Sequence, residues 1–315
     1  MKVGYRVLGW TALLAAALAA PWLAPAYQSQ GAFLWMMIVF ALTWDLLGGQ
    51  MGYNSFGNVV FLGIGTYACA VVQRDAGLPY FQGFTAGITC GAVLATAAAA
   101  FFGWGLLAVR GQYFAIGTMG LGIAVGELAA GWDFIGAGGG LVPPRFTSVA
   151  IGRERFFYFV ALALAATTFF VVRWLYAGRF GLALNAIRDD EDKAEAMGLQ
   201  TTRYKITAWC IAACFLGLSG GVLGNLIGFI DPHEVAFAGP TFGVWMVLMA
   251  ILGGKGTLWG PVLGAVLFHL TKELFWTYLL GAQRIALGLS IVLIVVLFPE
   301  GILGWARQRW PERFA

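Results

Sequence analysis

The residues best suited to chemistry form one short charged stretch. Residues 188–195 read RDDEDKAE, with five acids and two bases in eight positions, and apolar segments lie on both sides. From 179 to 205 the bases and the acids balance at five each. This balance argues against a basic patch that binds anionic lipid. The stretch therefore indicates a docking surface for a soluble protein, and an ordinary solvated loop is the alternative.

The same stretch predicts a short helix, a turn and a second helix over 179–198. Asp189 and Asp190 can cap a helix start and favour its positive end. Residues 191–197 are mostly good helix formers. Gly198 is placed to end the second helix in a left-handed turn.

Polar side chains within the apolar segments are the second group of candidates, because such groups are costly at membrane depth and often functional. Glu127 could meet a substrate ammonium group, or it could be a helix-end acid that faces water. Residues 136–140 could offer backbone donors to a carboxylate, or could form a flexible outer loop. The full set of side chains is Asp45, Asn54, Ser55, Asn58, Thr66, Thr118, Glu127, Asn225 and Thr241.

The composition of the whole chain indicates which class of protein carries these residues. The chain has 315 residues, of which 60% are hydrophobic and 11% charged, whereas soluble domains carry about 25% charged residues. The apolar runs are continuous rather than alternating, which disfavours a β-barrel. The 45 glycines suit close helix packing in a membrane. We therefore expect an all-α, polytopic transmembrane bundle that forms a single domain over residues 1–315.

Ten apolar segments approach the length of about 20 residues that spans a bilayer. Segment 240–253 is short and segment 112–131 is rich in glycine, so either could be re-entrant or discontinuous. The ten segments are 6–24, 31–48, 56–73, 83–109, 112–131, 155–176, 205–229, 240–253, 258–280 and 284–299.

Ten spans place both termini on the same side. With the N-terminus inside, most of the 19 Lys and Arg residues fall in cytoplasmic segments, as the positive-inside rule requires. This topology puts the charged loop, residues 177–204, in the cytoplasm and Asp231 outside.

No catalytic or metal site is expected. The pattern G-x-x-x-x-G-K-[ST] of nucleotide-binding loops does not occur. The two histidines, His233 and His269, are isolated from one another and from other metal ligands. A membrane enzyme would need clustered His, Asp or Glu residues, so we expect a protein without an ATPase site of its own.

Several motifs in order resemble the permeases of branched-chain amino-acid ABC importers, of the LivM type. In the charged loop, the family pattern is matched by Arg188, Glu191, Ala194, Gly198, Tyr204 and Lys205. Other matching segments are 52–67, 110–128, 136–141, 252–265 and 297–304. The chain departs from the family at Glu195, where the family usually has Ala, and at Asn58, where it usually has His.

The resemblance implies a multi-pass subunit of the bacterial inner membrane, in contact with membrane lipid and without a nucleic-acid partner. It implies a second, homologous permease, two cytoplasmic ATPases that bind ATP and Mg, and an external substrate-binding protein. Residues expected to contact the ATPases are Arg188, Asp189, Glu191, Ala194, Glu195 and Gly198. Residues expected along the substrate pathway are Ser55, Asn58, Thr118, Glu127 and Gly139.

The substrate implied by the resemblance is a branched-chain amino acid. Urea, short amides or other amino acids are alternatives within the wider family. A rival of another class is an ion-coupled secondary transporter that uses Glu127 and Asp45 as proton or ion sites. Inverted repeats would favour that rival, and we find no convincing repeat.

Overall fold

The structure is a computed structural model that describes residues 15–147, 152–279 and 301–309, with scattered positions between 281 and 296. The described residues are almost entirely helical, as predicted. A helical segment at 15–23 is followed by eleven labelled helices. These are α1 (Gln28–Gly48), α2 (Val59–Asp75), α3 (Tyr80–Leu106), α4 (Gln112–Ala130), α5 (Arg153–Ala177), α6 (Arg179–Asp189), α7 (Glu191–Ala196), α8 (Thr201–Ile227), α9 (Val244–Gly253), α10 (Trp259–Tyr278) and α11 (Gly301–Arg309).

Six helical segments in the described part of the chain are long and apolar enough to cross a membrane. They are Pro25–Gly48, Tyr80–Leu106, Gln112–Ala130, Arg153–Ala177, Thr201–Ile227 and Pro232–Gly253. The predicted number of ten spans is not confirmed. Segment 6–24 is described only from residue 15, and most of segment 284–299 lies outside the described residues.

Helix α8 is the centre of the bundle and packs against α2, α3, α1 and α5. Glycines allow its backbone to approach α3 closely, since a β-carbon on Gly217 would lie 2.7 Å from the carbonyl oxygen of Gly91. The hydroxyl of Thr66 in α2 donates to the Gly220 carbonyl at 3.0 Å. Small residues and an interhelical hydrogen bond are the usual means of joining helices in a membrane.

Helix α4 lies at the side of the bundle and buries a narrow stripe that includes Phe114, Thr118, Gly122 and Gly126. It is one continuous helix, so the suggestion that 112–131 is broken does not hold. Segment 240–253 is also helical throughout, because the π-helical turn Gly239–Gly243 runs directly into α9. The break lies before it, at residues 237–238, which separate it from the π-helical turn Pro232–Ala236.

The connections between helices gather at two ends of the bundle. One end holds residues 49–58, 107–111 and 254–258 together with the charged loop. At the other end, Leu141 and Ile230 form an isolated antiparallel bridge, and Arg74 donates to the Phe134 carbonyl at 3.0 Å. The charged loop and Asp231 therefore lie at opposite ends, as the predicted topology requires.

Candidate functional site

The charged loop folds as the sequence predicts, into two short helices joined by a sharp turn. Asp190 is the N-cap of α7, and its side chain accepts a hydrogen bond from the Lys193 amide at 3.0 Å. Asp189 instead ends α6, so it does not cap α7. Gly198 has φ +88° and occupies the left-handed region that favours glycine. The loop is thus a folded element with defined helix ends.

Glu191 joins this element to the bundle, and it is buried. Its Oε1 lies 2.6 Å from Lys205 Nζ in α8, and its Oε2 accepts a hydrogen bond from the Tyr53 hydroxyl at 2.5 Å. Arg110 Nε lies 3.2 Å from the same Oε2. Lys205 Nζ also donates to the Leu107 carbonyl at 2.8 Å. We call Tyr53, Arg110, Glu191 and Lys205 the anchor cluster.

The buried carboxylate of the anchor cluster is fully paired, and Arg110 also pairs with Asp192, whose Oδ1 lies 2.6 Å from Arg110 Nη1. Burial raises the pKa of Glu191, but the hydrogen bonds from Lys205 and Tyr53 outweigh burial and hold this pKa below its ordinary value. Burial and the hydrogen bond to Glu191 raise the pKa of Tyr53, which keeps its hydroxyl protonated as a donor. A buried ion pair requires such additional hydrogen bonds to offset the loss of hydration.

The buried face of the loop differs from the face that can meet a partner. Glu191 and Ala194 point into the protein, so these two of the six predicted contact residues support the loop from within. The carboxylate of Asp189 is well exposed. Glu195 accepts a hydrogen bond from the Thr201 hydroxyl, which ties the end of α7 to the start of α8.

Met197 is a feature of the exposed face that the sequence reasoning missed. It is 89% exposed and lies directly before Gly198. Methionine is among the residues enriched at protein interfaces, so Met197 is available to a partner on this face. The sequence does contain a clue, because Met197 is an apolar residue at the end of α7 that does not lie on the face formed by Glu191 and Ala194.

Arg188 connects the loop to the α1–α2 linker, residues 49–58. Its guanidinium Nη2 lies 3.0 Å from Asp189 Oδ1. Its side-chain stem covers Gly52, where an added β-carbon would lie 3.0 Å from Arg188 Cγ. Gly52 has φ +79°, a conformation that glycine adopts without strain.

Three of the predicted pathway residues come together where this linker meets α4. Ser55, Asn58 and Thr118 are all buried. The Phe56 amide donates to Thr118 Oγ1 at 3.1 Å. Asn58 Oδ1 accepts a hydrogen bond from Trp209 Nε1 at 3.2 Å. The region is closed in this structure, so these residues form a packed contact between elements.

Glu127 and Gly139 lie apart from that contact and are exposed. Glu127 is nine residues after Thr118 in the same helix, a rise of about 13 Å. It shares the exposed face of α4 with Ile116, Ile123 and Leu128. The five predicted pathway residues therefore do not form one site within this chain.

Asp45 is fully buried and both of its oxygens are occupied. Oδ1 accepts from the Gly256 amide at 2.7 Å, and Oδ2 accepts from the Tyr176 hydroxyl at 3.0 Å. The Gln50 side chain adds a hydrogen bond to the Gly256 carbonyl at 3.0 Å. Asp45 thus holds the glycine-rich turn 254–258 against α1, which gives this carboxylate a structural role.

A second buried polar group lies at the opposite end. Asn225 in α8 donates to Gln73 Oε1 at 2.8 Å, and it accepts a hydrogen bond from the Tyr80 hydroxyl at 2.9 Å. Arg153 donates to the carbonyls of Asn225 and Leu226 at 2.8 and 2.9 Å, where α8 ends. These contacts join α2, α3, α5 and α8, and explain Asn225 without a ligand.

Comparison with known proteins identifies the family. The sequence profile of the branched-chain amino acid transport system permease component matches residues 30–298. The high-affinity branched-chain amino acid transport system permease protein LivM of Escherichia coli strain K12 is 28% identical in an alignment that covers 95% of this chain and 75% of the relative. LivM of Salmonella typhimurium strain LT2 is 28% identical, covering 86% of this chain and 68% of the relative.

A further relative is LivH of Escherichia coli strain K12, which is 29% identical over 45% of this chain and 44% of its own length. No solved structure matches the chain at a significant level. The profile covers well over half of the chain and includes the anchor cluster, the linker and α4. The chain is a multi-pass membrane protein that belongs to the family of permease components of branched-chain amino acid transport systems.

Proposed function

We propose that this chain is a transmembrane permease subunit of an ATP-binding-cassette importer that carries branched-chain amino acids across the bacterial inner membrane. One observation carries the proposal. The charged loop is a folded helix–turn–helix, fixed to the bundle by the buried Glu191–Lys205 pair, while Asp189 and Met197 remain exposed. A rigidly anchored, exposed element of this kind is suited to receive force from a soluble partner.

The partner at this loop is one of two cytoplasmic ATPases, which bind ATP and Mg and hydrolyse ATP. Contacts with the ATPase are expected from Arg188, Asp189, Glu195 and the turn at Gly198. Glu191 and Ala194 support that surface from beneath. This arrangement requires the end with the charged loop to face the cytoplasm, and it fits a ten-span topology with both termini inside.

The second permease subunit is proposed to cover the exposed face of α4. LivM and LivH, two permease proteins, are both relatives of this chain. The face carries Glu127 among apolar side chains. An ionised carboxylate is costly against lipid hydrocarbon and is normally found against protein or water. We therefore place the substrate pathway along this face, with Glu127 and Gly139 toward the outside. Ser55, Asn58 and Thr118 are buried behind the cytoplasmic half of the same helix, where they support the pathway face rather than line it.

The external binding protein would deliver substrate at the end that carries Asp231 and His233. The names of the LivM relatives support a branched-chain amino acid as the substrate. Urea, short amides and other amino acids are the competing substrates to include in the assay.

The test is reconstituted uptake. The chain is co-purified with its sister permease and ATPases, placed in proteoliposomes, and supplied with loaded binding protein. We expect leucine uptake that requires ATP on the side of the charged loop and survives a proton ionophore. Uptake without ATP that the ionophore abolishes would instead identify an ion-coupled secondary transporter.

Orientation is tested by thiol labelling in a background without native cysteines. Lys193→Cys, on the exposed face of the loop, should resist an impermeant reagent in intact cells and react after lysis. His233→Cys, which is exposed at the other end, should react in intact cells. The reverse pattern would place the charged loop outside.

The contribution of Glu127 is tested with Glu127→Gln, which keeps the side-chain size and removes the charge. If its carboxylate meets the substrate ammonium, uptake should fall by about tenfold or less, since one exposed charged contact contributes about 1 kcal/mol or less. Wild-type uptake with unchanged substrate preference would make Glu127 a helix-end residue without a role in the pathway.

A further inference from the structure

The α1–α2 linker, residues 49–58, contacts the charged loop and the predicted pathway residues within a few positions of each other. Its first half meets the loop at Gly52 and Tyr53. Its second half, at Ser55, Phe56 and Asn58, meets α4 and α8.

The contact with the loop is direct and charged. The Tyr53 hydroxyl donates to Glu191 Oε2 at 2.5 Å and accepts from Lys205 Nζ at 3.2 Å. Lys205 Nζ also lies 5.0 Å from the centre of the Tyr53 ring. The stem of Arg188 covers Gly52 on the same side. A displacement of Glu191 or Arg188 would therefore act on the linker backbone at two adjacent residues.

The hydrogen-bonded and backbone contact with α4 begins three residues later. The Phe56 amide is bonded to Thr118 Oγ1, and a β-carbon on Gly57 would overlap the Thr118 carbonyl. The Ser55 carbonyl accepts from Trp44 Nε1 at 2.7 Å. The second half of the linker is thus tied to the helix that carries the proposed pathway face.

Aromatic rings provide a parallel route through the core. The Tyr53 ring packs edge-on against Phe114, with centroids 5.1 Å apart. Phe114 packs against Trp209 at 5.7 Å, and Trp209 Nε1 is bonded to Asn58. Close-packed interiors are nearly incompressible, so a shift of Tyr53 moves these rings rather than being absorbed.

The linker also has unused hydrogen-bonding groups. Ser55 Oγ and Asn58 Nδ2 are buried and make no hydrogen bond to any residue that the structure describes. Buried polar atoms without a partner are rare and call for an explanation. A second arrangement of the linker could engage both atoms while the rest of the bundle stays packed.

We propose that the α1–α2 linker transmits the movement of the charged loop to the substrate pathway, with Tyr53 as the positioning residue that grips Glu191. This inference rests on the proposed function, because it assigns a route between the ATPase contact and the pathway. Energetic coupling between distant sites needs such a set of packed and hydrogen-bonded residues with two arrangements.

Tyr53→Phe tests the route, since it removes one hydroxyl and keeps the ring against Phe114. In the reconstituted importer, ATPase co-purification, ATP hydrolysis and uptake are measured on the same preparation, so that uptake is expressed per ATP hydrolysed by the assembled complex. The number of substrate molecules taken up per ATP should fall by about tenfold, since a hydrogen bond to a charged group contributes free energy of that order. Tyr278→Phe is the matched control, because Tyr278 is 78% exposed near the other end of the bundle, and its ratio should equal wild type.

Two results would overturn the proposal. One is a wild-type ratio of uptake to ATP hydrolysis in Tyr53→Phe. The other is a loss of ATPase binding in proportion to the loss of uptake. That result would mean that Tyr53 only stabilises the docking surface and does not transmit its movement. Failure of the proposed function is distinguishable, since the wild-type chain itself would then bind no ATPase or show no ATP-dependent uptake.

Discussion

Gly57 in the α1–α2 linker lies directly against the backbone carbonyl of Thr118 in α4, and no β-carbon fits between them. The neighbouring amide of Phe56 is bonded to the Thr118 hydroxyl. Glycine is therefore required at residue 57 by the approach of two backbones, and α4 depends on this contact for its place in the bundle.

We predict that Gly57→Ala destabilises the purified protein by about 1–3 kcal/mol, the usual cost of forcing a methyl group into a packed contact. The measurement is the thermal unfolding midpoint in detergent. Gly105→Ala is the control, since Gly105 lies in α3 with nothing within 4 Å of an added β-carbon. The control should be neutral or more stable, because Ala favours a helix over Gly by about 1 kcal/mol. Equal midpoints for the two variants would contradict the argument.

The second prediction concerns the buried pair of Glu191 and Lys205. Lys205→Met leaves the carboxylate buried without its main partner, and should destabilise the protein by about 3–5 kcal/mol. Adding Glu191→Gln to that variant should recover part of the loss, because the isolated charge is removed. A double-mutant cycle measures this coupling. Strictly additive effects of the two substitutions would show that the pair does not act as a unit.

The third prediction concerns pH. In the folded protein the pKa of Glu191 lies below its ordinary value of 4.5, so the folded state favours the ionised form. Its contribution to stability is therefore complete above pH of about 4.5 and is lost as the pH falls through the lower folded pKa. The difference in unfolding free energy between wild type and Glu191→Gln should be constant at neutral pH and shrink in acid. A difference that grows as the pH falls would reverse the assigned sign.

The fourth prediction concerns the turn after α7. Gly198 has φ +88° and no atom within 4 Å of an added β-carbon, so only backbone conformation limits substitution. Gly198→Val should cost about 1–3 kcal/mol, because a β-branched residue tolerates this conformation poorly. Gly198→Asn should cost much less, since Asn enters the left-handed region readily. Binding of the purified ATPase to each variant provides the functional measurement, and equal binding by both variants would contradict the prediction.

Local patterns in the chain were sufficient to predict the helices of the charged loop and their ends. The N-cap at Asp190 and the left-handed Gly198 follow from residue types at fixed spacing, because capping depends on neighbours within one turn. The apolar segments likewise predict the transmembrane helices α1, α3, α5 and α8 within a few residues of their bounds. These features need no knowledge of what packs against them.

The burial and the role of other residues depend on contacts between distant parts of the chain, which the local sequence does not show. Glu191 was predicted as a surface contact and is buried, because its partner Tyr53 is 138 residues away. Asp45 was a possible ion site only under the alternative of a secondary transporter, and in the structure Gly256 and Tyr176 occupy both of its oxygens. For Glu191 only Lys205 lies nearby in the chain, 14 residues away, and for Asp45 both partners are distant in sequence.

The sequence by itself determined that this chain is a helical membrane protein with one charged, folded loop, since hydrophobicity and capping are local properties, and its ordered motifs identified the permease family. Only the tertiary structure decided which polar residues meet, that α4 is unbroken with an exposed face, and that the linker joins the loop to Thr118. The physical reason is that residues facing lipid and residues facing a neighbouring helix are equally apolar. Composition therefore identifies a membrane-spanning segment, whereas only the packing shows which side of the helix contacts lipid and which side contacts other helices.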